Sequence, residues 1–193
     1  MPKALNSVVG VDLGRHALKA VHLLRKGGRI AVTGFASRVI GGVAPDSPDA
    51  MAHHLKLLFR DLGTSGKGCV AAVSSPDALI RIIEQPTTPT KLLRDALRLN
   101  GLTLLNQDCH DFILDCDQIP AAAVAPTPEG AGVPAAAAPA GRTMSRYLVG
   151  GLPRAEVNEI SSAFSKNKTP VGAMQLAPIC NYNAFEYSHA DIF

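Results

Sequence analysis

The stretch from Val8 to Arg25, VVGVDLGRHALKAVHLLR, holds the residues in this sequence whose types and spacing most clearly suggest a chemistry. An apolar run, Val8 to Leu13, carries Asp12 near its end, and Gly14 follows two residues later. An acid at the end of a buried strand, followed by glycine and a loop of backbone N–H groups, can hold a metal-bound phosphate. Lys19 is the single cation of the next apolar run, Ala17 to Leu24. The simpler reading is a β-hairpin whose Asp12 caps its own turn. On the residues alone the turn-capping reading leads.

A second group of chemically able side chains is Cys109-His110-Asp111 with Cys116. Strand alternation sends Cys109 and His110 to opposite faces, so a metal site is not expected there. The four cysteines, Cys69, Cys109, Cys116 and Cys180, form no CxxC pair and fit neither a zinc site nor a disulfide scaffold. Free thiols suit a reducing cytoplasm. His53 and His54 are consecutive on a helical pattern and diverge by about 100°, which prevents them from acting as a ligand pair. Asp111, Asp115 and Asp117 share a strand face but have no companion His or Gly-rich loop for a metal, so they read as a solvated face, with a basic partner as the lesser alternative.

With 193 residues, 47% hydrophobic and 18% charged, the chain can bury a core and is not disordered as a whole. Trp is absent, aromatics are 5%, and the formal charge is +3 with no Lys/Arg block, so nucleic acid is not an expected partner. No run approaches the ~18 apolar residues that span a bilayer, and Met1 to Ser7 is a short polar leader. The expectation is a soluble cytoplasmic protein with no direct membrane insertion, reaching a membrane through partners.

The elements that must position these residues follow in order. Val8–Leu13 and Ala17–Leu24 read as antiparallel strands, and the turn at Gly27-Gly28 leads to a third strand, Ile30–Ile40. Gly41 to Asp46 is a loop. Ser47-Pro48 starts a helix with Met51, Leu55, Leu58, Phe59 and Leu62 on one face, ended by Gly63. Gly68–Ser74 and Leu79–Glu84 are strands, with Ile82 read as central. Three strands, a helix and a further strand make an α/β layer. Thr88-Pro89 reads as a second helix start, with Leu92, Leu93, Ala96, Leu97 and Leu104 apolar. Asp111–Gln118 is a strand with Phe112, Leu114 and Cys116 inward. Ala121 to Ala140 is low in complexity and Pro-broken, a disordered or weakly extended insert. Tyr147–Gly150 is a strand. Pro153 opens a helix with Val157, Ile160, Ala163 and Phe164 inward. Pro170–Leu176 is a last strand, before a helix from Ala177 to Tyr187 with Ile179 and Phe185 as core candidates.

GVDLG followed by KAV resembles the first phosphate loop of the actin-like ATPases, and closest to it is the PilM-type type IV pilus assembly family, related to the cell-division protein FtsA. CVAAVSSPDALIRIIEQP, KLLRDALRLN with DFILDCDQ, and YLVGGLPRAEVNEISSAFSKNKTPVGAMQLAPICNYNAFE are similar, in the same order, to later segments of that family. The resemblance covers nearly all the chain except the Ala/Pro insert. It implies an actin-like (ribonuclease H-like) α/β fold. Subdomain 1A would comprise 1–86 and 171–193, with a small α+β subdomain 1C inserted at 87–170 and the disordered insert at 120–143.

The resemblance also implies a function. It points to a cytoplasmic scaffold of a pilus or related secretion assembly that binds the N-terminal cytoplasmic peptide of a PilN-like inner-membrane protein and other assembly proteins. The alternative is a nucleotide-binding ATPase of the actin and sugar-kinase group. Asp12, Gly14, Arg15 and Lys19 would then form a phosphate/Mg loop for ATP, with the second phosphate loop and adenosine pocket following residue 193. Arg15, His16 and Ala17 depart from the small hydroxyl residues usual in that loop. No catalytic residue and no resident metal are assigned, and no cofactor is expected in these 193 residues alone.

Overall fold

The computed structural model describes residues 6–41, 47–65, 68–120 and 143–189. The insert read at 120–143 lies outside the described residues except at its two ends, as do most of the polar leader and of the loop read at Gly41 to Asp46. In chain order the elements are β1 (Ser7–Leu13), β2 (Ala17–Lys26), β3 (Arg29–Val39), α1 (Pro48–Leu62), β4 (Cys69–Val73), β5 (Leu79–Pro86), α2 (Thr90–Leu105), β6 (Phe112–Gln118), β7 (Met144–Pro153), α3 (Arg154–Lys166), β8 (Val171–Leu176) and α4 (Ala177–Ser188). They fall into two units, Met1–Ala78 with Pro153–Phe193, and Leu79–Leu152.

The first unit is built on a five-stranded sheet of order β3-β2-β1-β4-β8. β1 is antiparallel to β2 and parallel to β4, and β4 is parallel to β8. The period of two puts Val9, Val11 and Leu13 of β1, Leu18 and Ala20 of β2, Ala36 of β3, and Ala71 and Val73 of β4 among the buried residues. α1 packs against β2 and β3 and also against α3. Ser47 caps α1 as its sequence announces, accepting from Ala50 N at 3.2 Å, and Gly63 ends it at φ 71°. Leu55 and Leu58 are fully buried, and the Phe59 and Phe164 rings meet at 6.3 Å between the two helices. Asn167 Nδ2 donates to Ala52 O at 2.7 Å, and Lys166 pairs with Asp49, which fixes the end of α3 against the start of α1.

The second unit is a three-stranded sheet of order β5-β7-β6 with α2 against it. Leu79, Leu93, Leu97, Leu105, Leu114, Tyr147 and Val149 form its core with Cys109 and Cys116. α2 breaks regular geometry at Asn100 (φ −144°, ψ 40°). At the next residue, Gly101, an added Cβ would stand 3.3 Å from Cys109 Cβ.

Several details differ from the sequence reading. The units divide at 78/79 and 152/153, not at 86/87 and 170/171, because β5 pairs with β7 while α3 packs on α1. β5 is an edge strand rather than a central one, and Ile82, opposite Leu148, lies on the sheet face away from the buried Tyr147 and Val149, so it is 53% exposed. On α2 the buried positions are Leu93, Leu97, Gly101 and Leu105; Leu92 and Ala96 are exposed. Leu93 and Leu97 of the expected face are buried and Leu104 packs against the same core, while Leu92 and Ala96 at the margin of that face turn to solvent. Thr88 does not cap α2: its hydroxyl donates to Pro86 O at 2.6 Å, and the cap position is Pro89. α4 buries no residue fully, and Phe185 is exposed with its ring stacked on His189 at 4.4 Å.

Candidate functional site

The parallel part of the five-stranded sheet decides where a site can be. Leu13 of β1 is in register with Val73 of β4, and Val73 with Leu176 of β8, so three strands end in one row at their carboxyl ends. Just beyond that row lie Gly14-Arg15-His16, Ser74-Ser75, and the first turn of α4. In open α/β sheets ligands bind outside the carboxyl ends of the strands. The N-terminus of α4 has proline in its first turn, no acidic residue there and no side-chain cap, so its dipole end is left to backbone or ligand partners.

Asp12 is the residue of β1 one short of this row, and it points to the sheet face opposite Val11 and Leu13. Its register partner on β2 is Lys19, and Asp12 Oδ2 lies 3.7 Å from Lys19 Nζ, with the two side chains 40% and 54% exposed. Asp12 makes this cross-strand pair and no hydrogen bond to its own turn, unlike the capping role read from sequence. At Gly14 an added Cβ would stand 2.7 Å from Ala17 O, so the reversal itself demands glycine. Arg15 and His16 are exposed, and His16 O accepts from Ile40 N at 2.9 Å.

One neighbour of this site was not legible in the sequence. Cys180, in the first turn of α4, has its thiol pushed up by burial first and by the Asp12 charge second. Its Sγ donates to Gln175 Oε1 at 3.5 Å. The only sequence signal for it was the strand-to-helix junction at Leu176-Ala177-Pro178. That signal becomes informative only when β8 is known to lie parallel beside β4.

Asp12, Gly14, Arg15 and Lys19 lie together at one corner of the sheet. For a metal nucleotide the fit is partial: one half-exposed carboxylate already engaged by an ammonium, a glycine turn, and one helix N-terminus. Among the described residues no three His, Cys, Asp or Glu side chains converge on a point that could hold a metal ion. Cys109 and Cys116 are buried in the second unit's core while His110 is exposed beside Asp111, so those residues are held apart. His53 is exposed and His54 half-buried on α1.

These features define an α/β protein with a mixed five-stranded sheet, whose candidate site lies at the carboxyl edge of parallel strands. Its fold is that of a chain in the PilM–PilN type IV pilus biogenesis complex, to which it is similar with a TM-score of 0.72 and 20% sequence identity over 96% of its length. The chain spans about half, 52%, of that structure's chain. It is also similar to the cytoplasmic domain of EpsL, an inner-membrane component of the type II secretion system of Vibrio cholerae, with a TM-score of 0.48, 12% identity, and 87% of this chain against 56% of that one. No protein-family model and no curated protein matches the sequence.

Proposed function

We propose that this chain is a cytoplasmic adaptor of a type IV pilus or related inner-membrane assembly, and that it binds an N-terminal cytoplasmic peptide of a PilN-like membrane protein. The observation that carries this reading is the likeness of 96% of the chain to one chain of a PilM–PilN complex. In this reading the first unit corresponds to actin-like subdomain 1A and the second to subdomain 1C. Among the described residues no helix is long and apolar enough to cross a membrane, so the adaptor would be held at the membrane by what it binds. Co-purification tests it: the chain should be retained by the full-length PilN-like membrane subunit and lost when that subunit's cytoplasmic residues are deleted. Retention that ignores the deletion contradicts it.

A second reading has one observation in its favour. Asp12, the Gly14 turn and the uncapped start of α4 meet at the carboxyl edge of β1, β4 and β8, where phosphate would sit. Here Asp12 would face a Mg-bound phosphate of ATP, with Gly14 giving the tight turn and Arg15 and Lys19 supplying charge. The adaptor reading is preferred because the likeness to a chain of a PilM–PilN complex runs over 96% of this chain, whereas the phosphate reading rests on this one corner.

A further inference from the structure

Charge is unevenly spread along the chain. From Leu13 to Pro45 there are six Lys and Arg residues and no Asp or Glu, while the whole chain has a formal charge of only +3. Two of the six are neutralised locally, Lys19 by Asp12 and Arg38 by Asp61. Three of the others, Arg25, Lys26 and Arg29, sit at the tip of the β2–β3 hairpin, and among the described residues none has an acidic partner.

Among the described residues, β1 pairs with β2 as far as Ser7 opposite Leu24, with one further backbone bond from Arg25 N to Asn6 O at 2.9 Å. Beyond that, β2 and β3 continue as a two-stranded ribbon closed by Gly27 and Gly28 at φ 57° and 77°, the glycine geometry of a tight two-residue hairpin turn. Every residue from Leu24 to Thr33 is exposed. Three are large and apolar, Leu24 at 36%, Ile30 at 50% and Val32 at 69%.

We propose that this hairpin tip, from Leu24 to Val32, is a contact site for an anionic membrane surface. In the ladder Arg25 stands opposite Ile30, and Lys26 opposite Arg29, so alternation places Arg25 with Ile30 on one face of the ribbon and Lys26 with Arg29 on the other. A flat protein partner can meet only one of those faces. A lipid headgroup layer surrounds an inserted tip and meets both. Cations bind anionic headgroups while exposed aliphatic side chains enter the acyl boundary, the combination that holds peripheral proteins at membranes. The tip carries no aromatic side chain for stacking on nucleic acid bases. This contact is additional to the peptide binding proposed above and needs no partner, so the failure of either leaves the other standing.

Vesicle co-sedimentation of the chain tests it. Binding is expected to phosphatidylglycerol-containing vesicles and not to pure phosphatidylcholine, and it should weaken with salt. The combined Arg25→Gln, Lys26→Gln and Arg29→Gln variant should lose about a hundredfold in affinity. Ile30→Ser with Val32→Ser should lose severalfold on vesicles, with an unchanged circular dichroism spectrum. Equal binding to neutral and anionic vesicles, or an unchanged affinity in the charge variant, overturns the proposal. So does equally tight binding to soluble polyglutamate or duplex DNA that is indifferent to Ile30 and Val32, because it would assign the tip to an acidic macromolecule. If the charge variant does not fold, vesicle affinity of the unaltered chain that does not respond to salt overturns it equally.

Discussion

Asp12 and Lys19 face each other across the β1–β2 ladder, with carboxylate and ammonium 3.7 Å apart and both partly in solvent. The pair occupies the corner where a phosphate would have to enter. A half-exposed pair contributes at most about 1 kcal/mol. Asp12→Asn should therefore leave the thermal midpoint within a few degrees, since about 1 kcal/mol corresponds to roughly 2–4 °C at this size. Calorimetry with Mg-ATP is expected to show no binding by the chain with either residue. Micromolar affinity in the unaltered chain that Asp12→Asn abolishes would favour the nucleotide reading.

Gly14→Ala separates turn from ligand. The new Cβ would lie 2.7 Å from a backbone oxygen, so the reversal between β1 and β2 must distort. A loss of about 1–3 kcal/mol is expected, measurable by urea denaturation with no ligand present. A neutral substitution would show that the turn relaxes freely.

Burial separates three positions of similar appearance in the sequence. Leu55 is fully buried on α1, and truncation to Ala should cost about 2–5 kcal/mol. Ile82→Ala should cost under about 1 kcal/mol, because Ile82 is 53% exposed on an edge strand. His53→Ala, at an exposed position, should match the smaller value. Equal losses at all three would contradict the packing of α1 and β5.

The contrast between Leu55 and Ile82 marks how far the sequence could be read. Elements with a local signature were legible: the Ser47 cap, the Gly63 stop, the Gly27-Gly28 turn, and the inward Phe112, Leu114 and Cys116 of β6. Strand position within a sheet is non-local. Leu79–Glu84 reads as a buried run whether it is central or at an edge, and only its pairing with β7 alone decides. The same limit explains the site. Asp12, Gly14, Arg15 and Lys19 were visible as one motif, whereas Cys180 joins them only through the parallel pairing of β8 with β4.

Tyr147 anchors the entry to α2. Its fully buried ring carries a hydroxyl that donates to Thr88 O and accepts from Thr88 N, each at 2.8 Å. Tyr147→Phe keeps the ring and leaves both backbone groups unpaired, so a loss of about 1–3 kcal/mol is expected. Faster amide exchange at Thr88 would place that loss at this contact; unchanged exchange would argue against it.

Burial pushes the Cys69 thiol up to about 12 from an ordinary 9. The folded state thus keeps a proton that the unfolded chain releases above about pH 9. The resulting stability is fully present below pH 9 and is lost as pH rises toward 12. Urea midpoints should fall with pH across that window, and less steeply in Cys69→Ala. Parallel slopes would show that Cys69 is not the group responsible.

The proposed binding of a membrane subunit's cytoplasmic segment is tested most directly by calorimetric titration of the chain with the synthetic N-terminal cytoplasmic peptide of a PilN-like protein. Saturable binding at micromolar affinity with one peptide per chain is expected. No heat and no shift in thermal midpoint at high micromolar peptide would contradict it.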